Sequence, residues 1–456
     1  MLWAQVQTLT AHVQKLTARV EELEAQLKLN SRNSSKPPSS DGPAVKVTAK
    51  KPSGRKAGGQ PGHKGHKREL LPPERVDAFE DHWPTECEGC HGRLLRGTRT
   101  EVGEPLRHQV TEIPPVVAHV TEHRLHAQMC DQCGHGTQAG FPEGVPIGAF
   151  GPRLHAMVAL FTGAYRISKR TAVAALGDLF GVQLALGSVS NAEQAMSKAL
   201  AGPVEDARRH VVHQGTIHAD ETGWREGRAR AWLWIAATPT IAVFLIHAKR
   251  GTVAARQLLA GFAGILVTDR WGAYAYTALN KRQLCWAHLL RDFTFIAETK
   301  ASQEIGRELL RLSKVMFEHW HRVRDGTLSR SDFQNQMALM KPFFQAQLML
   351  GEAGGAPRVS GMCRVILSVF SALWTFVDVP GVEPTNNLAE RCLRFAVLWR
   401  KVSFGTHSAE GSRFVERMLT TVTTLKLQNR NVLDFLVQAS EATLFGRRPP
   451  SLLPHS

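Results

Sequence analysis

The sequence holds no uninterrupted apolar run long enough to span a bilayer. Its best candidate, Ala231 to Ala248, is 18 residues without Asp, Glu, Lys or Arg, but Thr238-Pro239-Thr240 breaks the middle. Two buried strands joined by a turn fit that pattern better than a transmembrane helix. No signal-peptide pattern opens the chain, whose first residues are amphipathic and charged throughout. Cysteine is sparse: there are seven in 456 residues, and four of them stand in two C-x-x-C pairs. That usage argues for metal binding in a reducing compartment rather than a disulfide framework. Acid is also in deficit, with 40 Asp and Glu against 56 Lys and Arg, a formal charge of +16 and a pI near 9.8. Such an imbalance points to a polyanionic partner, nucleic acid before membrane. The expectation is a soluble cytoplasmic, nucleoid-associated protein of roughly two to four domains.

What is present begins with a heptad pattern over residues 1–30. Val6, Val13, Val20 and Leu27 fall at a, and Leu2, Leu9, Leu16 and Leu23 at d. β-branched a with Leu at d favours a parallel two-stranded coiled coil, hence a homodimer or higher oligomer. Arg19 at g and Glu24 at the following e are placed to pair between chains. An amphipathic helix packed on its own domain is the alternative, which the strict spacing disfavours. Residues 31–70 then form a flexible basic linker with ten Lys and Arg against two acids, half of the whole excess charge. Rich in Gly, Pro and Ser, it has nothing apolar to fold around. Lys50, Lys51, Arg55, Lys56, Lys64, Lys67 and Arg68 are its candidate phosphate contacts; a solubilising spacer is the competing reading.

Residues 71–145 carry Cys87-x-x-Cys90 and Cys130-x-x-Cys133, with strand-like runs around Arg107 to Ile113 and Val116 to Met129. Paired knuckles of this kind predict a small β domain stapled by a structural Zn²⁺ on four thiolates, with His91 and His135 as fallback ligands. Four reduced thiols or a redox pair are the alternatives. Residues 146–213 read as helical. Ser168 to Phe180 and Ser188 to Leu200 form either a helix-turn-helix or a hairpin that only packs.

From 214 to 290 the order is strand, strand, strand, helix, strand, helix, strand. The strands fall near 215–220, 231–237, 241–247, 264–268 and 282–286, and the first helix near 252–261. A three-stranded meander followed by an alternating half is the layout of an RNase H-like α/β core, here taken as 214–430. A helical insertion at 291–380 interrupts it, with Ile305, Leu309, Leu312, Met316, Trp320 and Val323 on one face. A C-terminal helix and tail occupy 431–456.

Three acids stand out against this frame. Asp220 and Asp269 each end a short apolar segment, and Glu390 lies in the first turn of a helix. Each has a plain alternative: a turn before Thr222-Gly223, an N-cap after a strand, and a capping-box pair with Asn387. Jointly they coincide with the first strand, fourth strand and final helix of one domain. Three converging carboxylates suit two hard divalent cations, Mg²⁺ or Mn²⁺, of the kind used in phosphoryl transfer.

The motifs together resemble those of DDE-class bacterial transposases of the insertion-sequence-66 family, over nearly the whole chain. They are the N-terminal zipper, Asn30-Ser31-Arg32-Asn33-Ser34-Ser35-Lys36-Pro37-Pro38-Ser39-Ser40-Asp41 and Gly59-Gln60-Pro61-Gly62-His63, followed by the paired C-x-x-C. Asp220-Glu221-Thr222, Cys285-Trp286-Ala287-His288 and Asn386-Asn387-x-x-Glu390-Arg391-x-x-Arg394 complete the set. The resemblance implies that Asp220, Asp269 and Glu390 are catalytic and bind the cations. It also implies cleavage at element ends, strand transfer of a 3′-hydroxyl into double-stranded target DNA, and possible accessory transposition proteins as partners. Arg391 and Arg394 are candidate phosphate contacts, with solvated helix-face charge as the alternative. The same two readings apply to Lys401, Arg413, Arg417 and Lys426. Trp224 and the Arg270-Trp271 pair depart from the family's pattern. Cys285 and His288 supply either half a zinc site or a packed thiol beside a hydrogen-bonded imidazole, and the resemblance implies a motif that supports the active-site sheet or contacts the substrate. A dimeric DNA-binding regulator without catalysis, or an RNase H-like nuclease, shares most of these features.

Overall fold

The computed structural model describes residues 2–27, 29–30, 32–34, 68–94 and 104–454. Lys50, Lys51, Arg55, Lys56, Lys64 and Lys67 lie outside the described residues. The chain divides into two compact units, residues 46–117 and residues 1–45 with 118–456. In the first, Leu71 and Gln109 exchange two hydrogen bonds, of 2.8 and 2.9 Å. The stretch Arg107 to Ile113 joins no strand ladder. Pro114 and Pro115 follow it, and Leu106, Val110 and Ile113 remain exposed, so no apolar face is buried to drive pairing.

The larger unit opens with helix α1 (Leu2–Leu27). Leu2, Val6, Leu9, Val13, Leu16, Val20 and Leu27 all stand exposed along it. Among the described residues, its apolar seam is therefore not covered by its own domain. Of the strand-like run up to Met129, only the end pairs: β1 (Ala127–Met129) with β2 (Gly136–Gln138), antiparallel. Helix α2 (Pro152–Ala159) runs into a π-helical turn at Leu160–Ala164. Next come α3 (Lys169–Phe180), α4 (Leu186–Ala199) and α5 (Ala201–Val211). Ser168 caps α3 by accepting the Thr171 N–H at 3.0 Å, and Gly181 ends it at φ 66°, a conformation that suits glycine.

Five strands make the central sheet: β3 (Thr216–Glu226), β4 (Ala229–Ala237), β5 (Ala242–His247), β6 (Ile265–Thr268) and β7 (Arg282–Leu284). Their order is β5-β4-β3-β6-β7. The first three are antiparallel, while β6 runs parallel to β3 and β7 parallel to β6. The apolar run Ala231 to Ala248 is thus two strands and a turn, closed by Thr238 accepting the Ile241 N–H at 3.0 Å. Among the described residues no helix is long and apolar enough to cross a membrane. Helix α6 (Thr252–Leu258) precedes β6 as expected. The second expected helix, between β6 and β7, is instead two 3-10 turns at Gly272–Tyr274 and Leu279–Lys281. Tyr274 is drawn fully into the core there, which an amphipathic α-helix in so short a connection would not allow.

The insertion comprises α7 (Trp286–Glu298), α8 (Gln303–Arg324), α9 (Arg330–Gly354), α10 (Pro357–Ser368) and α11 (Thr375–Asp378). Leu309, Leu312, Met316 and Trp320 are buried on one face of α8, as the periodicity predicts, with Ile305 and Val323 half-buried at its ends. Trp286 anchors this second core. Its ring meets Trp374 at 5.1 Å and Phe344 at 5.4 Å, both edge-on, and its N–H donates to the Leu373 carbonyl at 2.8 Å.

The chain closes with α12 (Asn387–Ser403), α13 (Ala409–Leu427) and α14 (Val432–Leu444). Helix α13 solves the edge-strand problem for β5. Thr424 and Thr420 accept the N–H groups of Ala242 and Phe244, each at 3.1 Å, and Glu416 accepts that of Ile246. One helical turn of four residues rises about 6 Å and two strand residues about 6.7 Å, so the two rows stay in step.

Glu416 holds this position while half-buried, and burial pushes its carboxyl up to about 7. A folded-state value above the ordinary one of 4.5 means ionisation destabilises the fold, increasingly as pH rises between the two. Glu416→Gln keeps the acceptor and removes the charge. It should raise stability at pH 8 by about 2 kcal/mol and change little at pH 4, as read from urea unfolding midpoints.

Candidate active site

The parallel pairing of β3 with β6 sets Thr216 beside Ile265, Ile217 beside Leu266 and His218 beside Val267. Continuing that register by two residues lays Asp220 beside Asp269, on the same face of the sheet. Asp269 follows the last residue of β6. Asp220 does not end its strand: β3 runs on to Glu226, so the expected turn at Thr222-Gly223 is absent. The hairpin turn comes later, at Gly227 with φ 57°.

Asn386 brings the third acid to this edge. Fully buried, it donates to the Ala219 carbonyl at 2.8 Å and meets His218 Nδ1 at 3.2 Å. Its backbone N–H reaches Cys285 Sγ at 3.1 Å. One residue thus ties the start of α12 to β3, directly before Asp220, and to the start of α7. Glu390 then lies in the first turn of α12. The capping-box reading fails, because Asn386 holds the cap position and makes no side-chain cap bond.

Electrostatics gather the three acids. The Asp220 carboxyl is pushed well above the usual range by burial first, then by Glu221 and Asp269, and further by Glu390. The N–H of Glu221, 2.8 Å from Asp220 Oδ1, opposes the shift. Asp269 accepts the Trp271 N–H at 2.8 Å, so its turn-forming role coexists with its place at this edge.

Residues without an assigned role in the sequence complete the setting. Glu221, on the opposite face of β3 from Asp220, is buried and paired: Arg250 reaches Oε1 at 2.9 and 3.0 Å, and the Tyr274 hydroxyl donates to Oε2 at 2.8 Å. Burial raises the Glu221 carboxyl; Tyr274 and Arg250 hold it back. Arg250 lies against Trp271 at 4.2 Å and Trp232 at 4.8 Å, which accounts for the tryptophan after Asp269-Arg270. Arg270 itself turns away to pair with Asp292. Arg250 and Arg270 therefore serve other carboxylates, while Arg282 stands beside Asp269, attracted to its carboxylate and 3.5 Å from its backbone carbonyl.

Glu390 Oε1 lies 3.8 Å from His288 Nδ1, and both buried atoms lack a hydrogen-bond partner. Crowded acids with a buried, unpartnered carboxylate oxygen are a donor set that fits hard divalent cations. Other candidates are dispersed. Arg391 and Arg394 are exposed on α12; Arg68 is exposed and donates to Thr111. Lys401 and Arg413 are exposed too, whereas Arg417 is bonded to the Ser197 carbonyl at 2.8 Å. Trp224 is buried and donates to Thr406 Oγ1 at 3.2 Å.

Each C-x-x-C pair forms the same knuckle. The Cys87 N–H donates to the Gly92 carbonyl at 3.0 Å and the Cys130 N–H to that of His135 at 2.9 Å. The fifth residue of each turn, His91 and Gly134, has φ of 56° and 68° and donates back to the first cysteine's carbonyl. Backbone N–H groups of Gln132 and Cys133 lower the Cys130 thiol below its usual range.

A family model described as "Transposase IS66 family" matches residues 148–413, and one described as "Family of unknown function (DUF6444)" matches residues 1–69. In Sinorhizobium fredii, "Uncharacterized protein y4qI" is 28% identical over 232 residues, covering 46% of this chain and 43% of that protein. From the same organism, "Uncharacterized protein y4hP" is 23% identical over 383 residues, 76% of this chain and 68% of that protein. The match to the first thus spans less than half of its length.

The raised Asp220 carboxyl gives a sign to test. Its ionisation opposes folding as pH climbs above the usual carboxylate range, unless a cation offsets it. Asp220→Asn should melt a few degrees higher than wild type at pH 8 in chelator, with the gap closing in acid. Mg²⁺ should raise the melting temperature of wild type and not of the variant.

Proposed function

This chain belongs to the IS66 transposase family, and from that membership we propose that it cuts DNA at the ends of a mobile element and joins the freed 3′-hydroxyls to target DNA. The observation that carries the reading is the alignment of Asp220 with Asp269 on parallel neighbours, with Glu390 clipped to the same edge through Asn386. The strand order β5-β4-β3-β6-β7, three antiparallel strands followed by two parallel ones, supports an RNase H-like core.

In this reading Asp220, Asp269 and Glu390 would hold Mg²⁺ or Mn²⁺. Bound there, such cations activate an attacking oxygen and stabilise a leaving one in phosphoryl transfer. The chain's own residues set the stage. Asn386 fixes the helix start against β3, and Arg250 with Tyr274 neutralises Glu221, so that it does not compete for the same cation. Arg391, next to Glu390, and Arg394, one turn further along α12, are exposed and meet phosphates of the double-stranded DNA. The reaction uses no nucleotide cofactor and no covalent enzyme intermediate. Each C-x-x-C pair, Cys87 with Cys90 and Cys130 with Cys133, is proposed to offer two thiolates to structural Zn²⁺ from its own turn. Small accessory transposition proteins are proposed as partners, acting on DNA in the nucleoid.

The exposed seam of α1 supports pairing of two copies, which would bring two element ends together. Val13→Asp should halve the mass of the full-length protein in light scattering and abolish paired-end DNA complexes. An unchanged mass would remove the coiled coil from this scheme.

The chemistry is tested with DNA carrying the element's terminal repeats, in Mg²⁺, comparing wild type with Glu390→Gln. Wild type should cut and join, and the variant should bind DNA while losing at least 100-fold in rate, roughly the cost of a removed catalytic group. Cutting without joining would mean a nuclease, and equal activity in both would mean the triad is wrong.

A further inference from the structure

The Cys285-x-x-His288 motif has no part in the chemistry above, yet it faces that chemistry directly. Cys285 holds the N-cap position of α7, His288 lies in its first turn, and Glu390 lies in the first turn of α12. Their Sγ, imidazole nitrogen and carboxylate oxygen lie within 4.8 Å of one another. A packed thiol beside a hydrogen-bonded histidine does not describe this cluster. The 3.8 Å separation of His288 Nδ1 from Glu390 Oε1 is too long for a hydrogen bond, and both atoms are buried without one. The arrangement is also held from outside. Asn386 N–H is fixed on Cys285 Sγ at 3.1 Å, and the Trp286 N–H on the Pro384 carbonyl at 2.9 Å, joining the two helix starts. The Cys285 side has no opening, since the residue is 1% exposed, whereas the His288 and Glu390 side chains are 18% and 32% exposed and leave a way in.

We propose that Cys285, His288 and Glu390 form a binding site for a borderline transition metal, Zn²⁺ above all, distinct in ligand chemistry from the all-oxygen set of Asp220, Asp269 and Glu390. Thiolate and imidazole donors select Zn²⁺ over Mg²⁺. Donors around a bound zinc sit roughly 3.5 Å apart, so the cluster closes by about 1 Å, and the thiol releases its proton to solvent as the metal–sulfur bond forms. The site shares Glu390 with the proposed catalytic acids. Occupancy by Zn²⁺ withdraws that carboxylate and antagonises Mg²⁺-dependent cleavage. This consequence rests on the reading of Glu390 as catalytic; the site itself does not.

The test uses the full-length chain, stripped with chelator and titrated with Co²⁺ as a spectroscopic stand-in for Zn²⁺, alongside Cys285→Ser and His288→Asn. Wild type should bind one equivalent more than either variant. The difference spectrum between wild type and Cys285→Ser should contain a thiolate-to-cobalt charge-transfer band. Equal metal content and superimposable spectra in all three proteins would overturn the proposal. In the cleavage assay, Zn²⁺ should inhibit wild type at a concentration at least tenfold lower than His288→Asn; equal potency would overturn the antagonism. A chain that binds the extra equivalent and yet cuts no DNA would uphold the site and count against the catalytic reading of Glu390.

Discussion

Mutual repulsion among carboxylates at the end of β6 and the middle of β3 is the constraint on which the rest of this structure turns. Asp220, Glu221, Asp269 and Glu390 all act on one another's ionisation or on that of a shared neighbour. Folding such a cluster costs free energy unless each charge is answered. Glu221 is answered by Arg250 and Tyr274, and Asp292 by Arg270. Asp220 and Asp269 each accept one backbone N–H, the Arg282 guanidinium attracts Asp269 and lies 3.5 Å from its backbone carbonyl, and Glu390 faces His288 Nδ1 at 3.8 Å without a hydrogen bond. Arg250 and Arg270 pair with neighbouring acids, and the proposal of a cation held by Asp220, Asp269 and Glu390 rests on that arrangement.

The supporting architecture serves that edge. Asn386 is the clip: from 167 residues away in sequence it bonds the carbonyl directly before Asp220. The insertion, whose core is built on Trp286, begins one residue after Cys285 and so fixes the start of α7 against the start of α12. On the opposite side of the sheet α13 covers the free edge of β5 with one side chain per turn. That keeps the sheet closed to edge pairing while β3 and β6 remain at its working end.

Much of this was legible in sequence because it depends on local pattern. Short apolar runs ending in acid placed β6 and Asp269; the periodicity of α8 placed its buried face; Pro239 separated β4 from β5. The separation of 121 residues from Asp269 to Glu390 required an insertion. What was not legible depends on pairing across distance. Nothing local shows that Glu221 will turn away from Asp220 to meet Arg250, or that Asn386 rather than Asn387 will hold α12. Nor does the pattern of residues 270–281 reveal that Tyr274 will be drawn inward, replacing a helix with 3-10 turns. The length of β3 was missed for a similar reason: Thr222-Gly223 is a turn signal locally, but β4 supplies partners as far as Glu226.

The central claim is that Asp220, Asp269 and Glu390 make one cation site. Electron paramagnetic resonance of the full-length protein titrated with Mn²⁺ tests it most directly, by counting bound ions in wild type and in Asp269→Asn. The account predicts that wild type binds Mn²⁺ tightly and that Asp269→Asn loses at least one bound ion or weakens it tenfold or more. Identical Mn²⁺ binding by the two proteins would contradict it.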